Sequence, residues 1–105
     1  MHIQIVNFNL KDISDADYRS VCDGLANVFA QMPGLISKVW LADEQANTYG
    51  GVYTWVDRAA MDEYLHSDTF NSVTANPNFA NITSRDFDVL EGPTRITQAR
   101  ATVAA

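Results

Sequence analysis

A single cysteine, Cys22, stands in the whole chain, so no intrachain disulfide can form. That fits a reducing compartment. Basic residues are also scarce. Lys11, Lys38 and five scattered arginines face 13 acidic residues, giving a net charge of −6 and a pI near 4.5. Phosphate binding needs clustered Lys and Arg, so neither nucleic acid nor an anionic membrane surface is expected as a partner. No apolar run is long enough to cross a bilayer, and no basic start followed by an apolar stretch reads as a secretory leader. The expected location is the cytoplasm. Histidine is limited to His2 and His66, far apart and without spaced Cys or carboxylate companions, so no metal site is expected. Gly50-Gly51 falls inside an aromatic run rather than between a strand and a helix, and no glycine-rich phosphate loop is present. Ser, His and Asp occur without a spacing that marks a triad.

What is present is a folding pattern. A chain of 105 residues, 47% of them hydrophobic, suffices for one domain spanning residues 1–105. The stretch from Pro33 to Val56 organises it. Leu35–Ala42 and Thr48–Val56 are rich in β-branched and aromatic residues and flank the polar loop 43–47, which predicts a β-hairpin. Before it, residues 2–10 predict a strand with apolar groups on both faces, a parity that needs no bulge. Ser14 is placed to cap a helix carrying Tyr18, Val21, Cys22, Leu25, Val28, Phe29 and Met32 at spacings of three and four, stopped by Pro33-Gly34. After the hairpin, Asp57 and Ser67 are placed to cap two further helices, and Asn76-Pro77-Asn78 ends the second. A last strand is expected over residues 81–90, with Ile82 toward one face and Phe87 and Val89 in the core. Gly92-Pro93 breaks it, and the tail from Thr94 is weakly patterned.

The order β-α-β, β-α-α-β predicts a ferredoxin-like α+β fold: split β-α-β units, an antiparallel sheet, and helices on one face. The other face would be bare, yet the first three strands carry apolar side chains on both. A soluble monomer does not tolerate such a face, so a homodimer with two sheets packed face to face is expected. The tail is expected to cross the partner subunit.

Pro33-Gly34, Lys38-Val39-Trp40, Gly50-Gly51-Val52-Tyr53 and the late Phe87-Asp88-Val89 with Pro93 resemble the YdhR-like mono-oxygenase family. The resemblance covers nearly the whole chain. It implies a dimeric α+β barrel. By way of related oxygenases that oxidise polycyclic aromatic phenols, it also implies a mono-oxygenase without metal, haem or flavin, with dioxygen as co-substrate. Residues 64–70 further resemble a segment common in that superfamily. Its haem-degrading members carry a Trp early in the segment and an axial His after the Phe. Here Tyr64 takes the Trp place and Thr74 the His place, while Asn7 matches an Asn of those enzymes.

Lys38 shares a strand face with Trp40. It is either a snorkelling or salt-bridged edge residue, or a cation that steadies a phenolate or an oxygen-derived anion in an apolar pocket. Trp40, Tyr53 and Trp55 suit a core; with Tyr49 and Tyr64 they could also line a cavity for a flat aromatic molecule. Asn7 lies on a strand expected to be covered, so it needs a partner, structural or ligand. Asn7, Lys38 and Tyr53 are thus the catalytic candidates, and Trp40, Trp55, Tyr64 and Tyr49 the substrate-binding ones. His66 reads as an exposed residue at a helix end, and Arg85, Asp86 and Asp88 as dimer salt bridges or solvent-facing charges. Two other functions remain open. One is a ligand-binding or sensing dimer without catalysis; the other is an isomerase or cyclase of the same barrel class.

Overall fold

Strand β1 (His2–Leu10) runs antiparallel between β3 (Thr48–Trp55) and β4 (Phe79–Asp88), and β2 (Leu35–Asp43) lies outside β3. The sheet order is therefore β2-β3-β1-β4. Helix α1 (Asp15–Ala30) joins β1 to β2. Helices α2 (Arg58–Leu65) and α3 (Asp68–Ala75) join β3 to β4, and α4 (Glu91–Ala104) follows β4. This is the ferredoxin-like α+β arrangement. The computed structural model describes the backbone of residues 1–104 and the side chains of residues 1–98. No helix of the described residues is long and apolar enough to cross a membrane.

The caps form where the sequence puts them. The Ser14 hydroxyl accepts from the Asp17 N–H at 3.0 Å, the Asp57 carboxylate from Ala60 at 2.9 Å, and the Ser67 hydroxyl from Phe70 at 3.2 Å. Each satisfies one amide that a helix start leaves unpaired.

Register decides the faces, because residues paired across antiparallel strands point the same way. His2, Gln4, Val6 and Phe8 pair with Trp55, Tyr53, Gly51 and Tyr49. Lys38, Trp40 and Ala42 pair with Tyr53, Gly51 and Tyr49. This is the face that the helices cover: α1 brings Tyr18 and Phe29, and α2 brings Ala60, Met61 and Tyr64, into one buried cluster, with Phe70 of α3 packed against it. Trp55 is fully buried, and its Nε1 donates to Gln4 Oε1 at 3.0 Å. Gln4 in turn donates to Ser84 Oγ at 3.0 Å, so no polar atom at the sheet centre lacks a partner.

The other face carries Ile3, Ile5, Val39, Leu41, Val52 and Phe87. Val39 is 57% exposed and Phe87 51%. The expectation that Phe87 enters the core therefore fails in this chain, because Phe87 pairs with Ile3 on the open face. Strand β4 also starts two residues earlier than expected and ends at Asp88. A register shift between Asn7 and Asn9 lets it begin at Phe79, so β1 is irregular against β4 although its parity alone required no bulge. A second shift between Leu35 and Ser37 turns Leu35 toward the core and leaves Ile36 52% exposed, so Ile36 does not share the face of Lys38 and Trp40.

The tail is helical rather than merely unpatterned. Gly92 and Pro93 lie in the first turn of α4, where a missing amide hydrogen costs nothing. Asp86 and Asp88 have a different role from that expected. Both reach the buried His2, Asp86 to Nε2 at 2.7 Å and Asp88 to Nδ1 at 3.0 Å, so His2 does have carboxylate companions, supplied by β4. Even so, no group of three such side chains among the described residues could hold a metal.

Candidate active site

Four neighbours of one register build the site. Lys38 and Trp40 stand on β2, and opposite them on β3 are Tyr53 and Gly51. Gly51 offers no side chain, and the lysine stem fills the space: a Cβ there would lie 2.9 Å from Lys38 Cε and 3.3 Å from the Tyr53 ring. The stem is thereby turned inward under α1. Lys38 Nζ ends 3.4 Å from the centroid of the Phe29 ring, 3.5 Å from that of Trp40 and 4.8 Å from that of Tyr53. Phe29 meets Trp40 edge to face, with ring centroids 5.4 Å apart.

This ammonium cage forms one wall of an apolar cavity of about 40 Å³ between the sheet, α1 and α3. Val6, Phe8, Tyr18, Cys22, Leu25 and Phe79 complete much of the lining. A benzene-sized ligand needs roughly 150 Å³, so an aromatic guest has to part the walls. Val21 and Leu25 of α1 form the open side of the lining, at 40% and 37% exposed.

Two effects act on the lysine. Burial lowers its pKa from the ordinary value of 10.5 to about 7, with the neighbouring Cys22 opposing. The three ring faces favour the charged form. Its proton is thus held loosely near neutrality. The phenols nearby behave in the opposite way. Burial, followed by the closeness of Tyr64, raises the pKa of Tyr53, and burial followed by Cys22 raises that of Tyr18. These hydroxyls remain neutral donors and do not serve as bases.

Of the residues singled out in the sequence, Lys38, Trp40 and Tyr53 meet at the cavity. Tyr64 stands behind it: its hydroxyl lies 3.4 Å from that of Tyr53, and its ring packs against Trp55 at 5.3 Å. Burial raises its pKa too, with the Tyr53 hydrogen bond opposing. Trp55 is a core residue bonded to Gln4 and does not reach the cavity. Tyr49 is buried at the far end of the sheet, where its hydroxyl donates to Asp15 and its pKa rises to about 12, chiefly through that bond. Asn7 falls outside the group. It pairs with Gly50 on the open face and its amide donates to the Tyr49 carbonyl at 3.3 Å, so its partner is structural. His66 is exposed, with Nδ1 2.7 Å from the Asp62 carbonyl. Tyr18, Cys22 and Phe29 line the cavity but read in the sequence as a helix stripe facing a core. Their spacing places them on one face and cannot show a gap beneath it.

The lining does not fit a haem held through an axial histidine. It contains no histidine, Thr74 is exposed, and His2 is held by Asp86 and Asp88.

Solved structures share this fold. SnoaB, a cofactor-independent oxygenase from Streptomyces nogalater, superposes with a TM-score of 0.65 at 23% identity, over 86% of this chain and 94% of its own. A protein described as a "putative antibiotic biosynthesis monooxygenase" from Deinococcus radiodurans gives 0.70 at 14% identity, over 88% and 95%. A MhuD variant carrying two manganese protoporphyrin IX per active site gives 0.68 at 15% identity, over 86% and 95%. No curated protein matches the sequence. These likenesses give the fold, a ferredoxin-like α+β sheet with helices on one face. The family model described as "Putative mono-oxygenase ydhR" matches residues 3–100, and the chain belongs to that family.

Proposed function

We propose that this protein is a cofactor-independent mono-oxygenase of a small apolar, phenolic substrate bound beside Lys38. The observation that carries the reading is an amine held among three aromatic rings in an apolar cavity. Ionised phenol is an electron-rich anion, and the ammonium is the charge that would favour it there. The apolar walls keep water from the bound ring and fix its orientation beside Lys38. The substrate supplies the electrons: a phenol that loses its O–H hydrogen and one ring C–H hydrogen to dioxygen gives a quinone and one water, one oxygen entering the ring, so the balance needs no further reductant. Tyr53, kept neutral by burial, is placed to donate a hydrogen bond to the bound oxygen, with Tyr64 steadying its hydroxyl.

The test is dioxygen uptake with a panel of polycyclic phenols, run with ¹⁸O₂. One labelled oxygen in the product per dioxygen consumed is expected, with Tyr53→Phe reducing kcat about tenfold. Ligand binding without uptake would instead indicate a binding or sensing module. Turnover under argon would indicate an isomerase or cyclase.

The same reading takes residues 1–105 as one domain that works as a homodimer. Support comes from the open apolar face and from the exposed Leu90 and Ile96 that follow β4, at 76% and 75%. Truncation after Glu91 is expected to shift sedimentation at low concentration toward monomer; an unchanged profile would count against a role for α4 in the contact. The lone cysteine and acidic charge support a cytoplasmic location.

A further inference from the structure

We propose that Lys38 is also a covalent nucleophile toward aromatic aldehydes: its amine, caged by Phe29, Trp40 and Tyr53, condenses with an aldehyde in the cavity to form an imine. This rests on the cage itself and not on any reaction with dioxygen. The first observation is isolation. Each ion pair among the described residues involves another cation, and no hydrogen-bond acceptor engages Lys38 Nζ. A buried lysine of purely structural use is normally pinned by a carboxylate. Here no acceptor engages the nitrogen, and only the ring faces hold it. The second observation is access. Among the described residues no fully enclosed side-chain polar atom lacks a partner, so the unbonded Nζ still meets open space, and Lys38 lines the cavity.

The chemistry follows from these surroundings. The neutral amine attacks the carbonyl carbon as its π electrons move to oxygen. A proton passes from nitrogen to that oxygen, giving a carbinolamine. Hydroxide then leaves from carbon and the remaining nitrogen proton leaves with it, so the products are the imine and one water. An apolar cage suits each stage. Burial holds a fraction of the amine neutral near pH 7. Exclusion of water favours the condensed product. The protonated imine is still a cation, and the same ring faces stabilise it. The walls select the aldehyde: flat and aromatic, since Val6, Phe8, Leu25 and Phe79 are apolar and only the neutral hydroxyls of Tyr18 and Tyr53 and the Cys22 thiol could meet an aliphatic sugar or acid.

The chain carries its own control. Lys11 is exposed and is the one other lysine in the sequence, while the Met1 amine pairs with Glu91. The native protein is incubated with benzaldehyde and sodium cyanoborohydride at pH 7, then digested and mapped by mass spectrometry. The expected result is a single benzyl addition at Lys38, more than about tenfold faster than at Lys11. In urea that preference should vanish. Lys38→Arg should keep the native circular dichroism spectrum and lose the fast adduct. Labelling that falls on Lys11 or Met1 as fast as on Lys38 overturns the proposal, as does an absence of label on Lys38. A fast adduct that persists in Lys38→Arg overturns it equally. Dioxygen uptake by the native protein with phenols is read separately: a Lys38 adduct without uptake sinks the oxygenase reading alone, and uptake without an adduct sinks the imine alone.

Discussion

Lys38→Met should melt higher than the wild type near neutral pH while losing dioxygen uptake. The two effects share one cause. An ammonium taken out of water without a carboxylate destabilises the fold, and a thioether of similar length fills the same space at no such cost. The pH dependence separates this from ordinary repacking. In the folded chain the lysine titrates near 7; in the unfolded chain, near 10.5. Between these values the unfolded state binds more protons, so wild-type stability rises with pH across that window. Below about pH 7 both states are protonated and the whole penalty is present; above 10.5 both are neutral and it has gone. The advantage of the variant should therefore be greatest at and below neutrality and fade in alkali. At pH 6.5 a rise of at least ~4 °C in Tm is expected, which corresponds to about 1 kcal/mol in a domain of this size. Differential scanning calorimetry between pH 6 and pH 10 reads it directly. An equal Tm for both proteins at pH 6.5 would mean that the ring faces fully offset desolvation, and that Lys38 carries no stored cost for a substrate anion to relieve.

The fold was legible because its cues are local. Ser14, Asp57 and Ser67 bond the amides that their spacing implies. Pro33-Gly34 and the polar loop 43–47 bound the hairpin, where Asn47 adopts a φ of 49° and Asp43 accepts from Ala46 at 3.1 Å. Two apolar strand faces also announced a sheet with something to bury on each side. Apart from the helical tail, the misjudged points depend on long-range register. Nothing near Phe87 in sequence says that it will stand opposite Ile3 on the open face, and the shift at Asn7–Asn9 that frees Phe79 for the cavity comes from pairing with β4. Asn7 was singled out as a polar residue needing a partner, and it has one. That partner is a carbonyl of the neighbouring strand, 42 positions away.

The site was half legible for the same reason. Lys38 and Trp40 share a face by parity alone, whereas the alignment of Tyr53 with Lys38 is a matter of hairpin register. Phe29, which lies closest under the ammonium, is indistinguishable in sequence from any other inner residue of α1. The carboxylates around His2 arrive from the far end of the chain, 84 and 86 positions on, so they read as loose surface charges until β4 is paired to β1. The most informative sequence cue was Gly50-Gly51. Adjacent glycines in a strand mean that something approaches the backbone, and two separate things do: the β1 backbone at Gly50 and the lysine stem at Gly51.

Gly50→Ala should abolish the folded state. Gly50 has a φ of 147°, a conformation that a side chain resists, and an added Cβ would lie 1.8 Å from the Val6 carbonyl oxygen and 2.8 Å from its carbon. The obstacle is backbone, and it cannot rotate aside. Relief requires β1 to move away from β3, but β1 is also paired with β4 and carries Val6 and Phe8 into the core and the cavity wall. A cost of about 4 kcal/mol or more is expected, a large share of the stability of a small domain. Gly24→Ala is the matched control. Gly24 sits in α1 with nothing within 4 Å of an added Cβ, so the same substitution should stabilise the helix by about 1 kcal/mol. Urea unfolding followed by circular dichroism should therefore move the two variants in opposite directions. A folded Gly50→Ala protein with wild-type stability would mean that β1 and β3 can separate cheaply. The hairpin register that sets Tyr53 opposite Lys38 would then no longer be tied to the sheet centre, and a rigid cage could not be assumed.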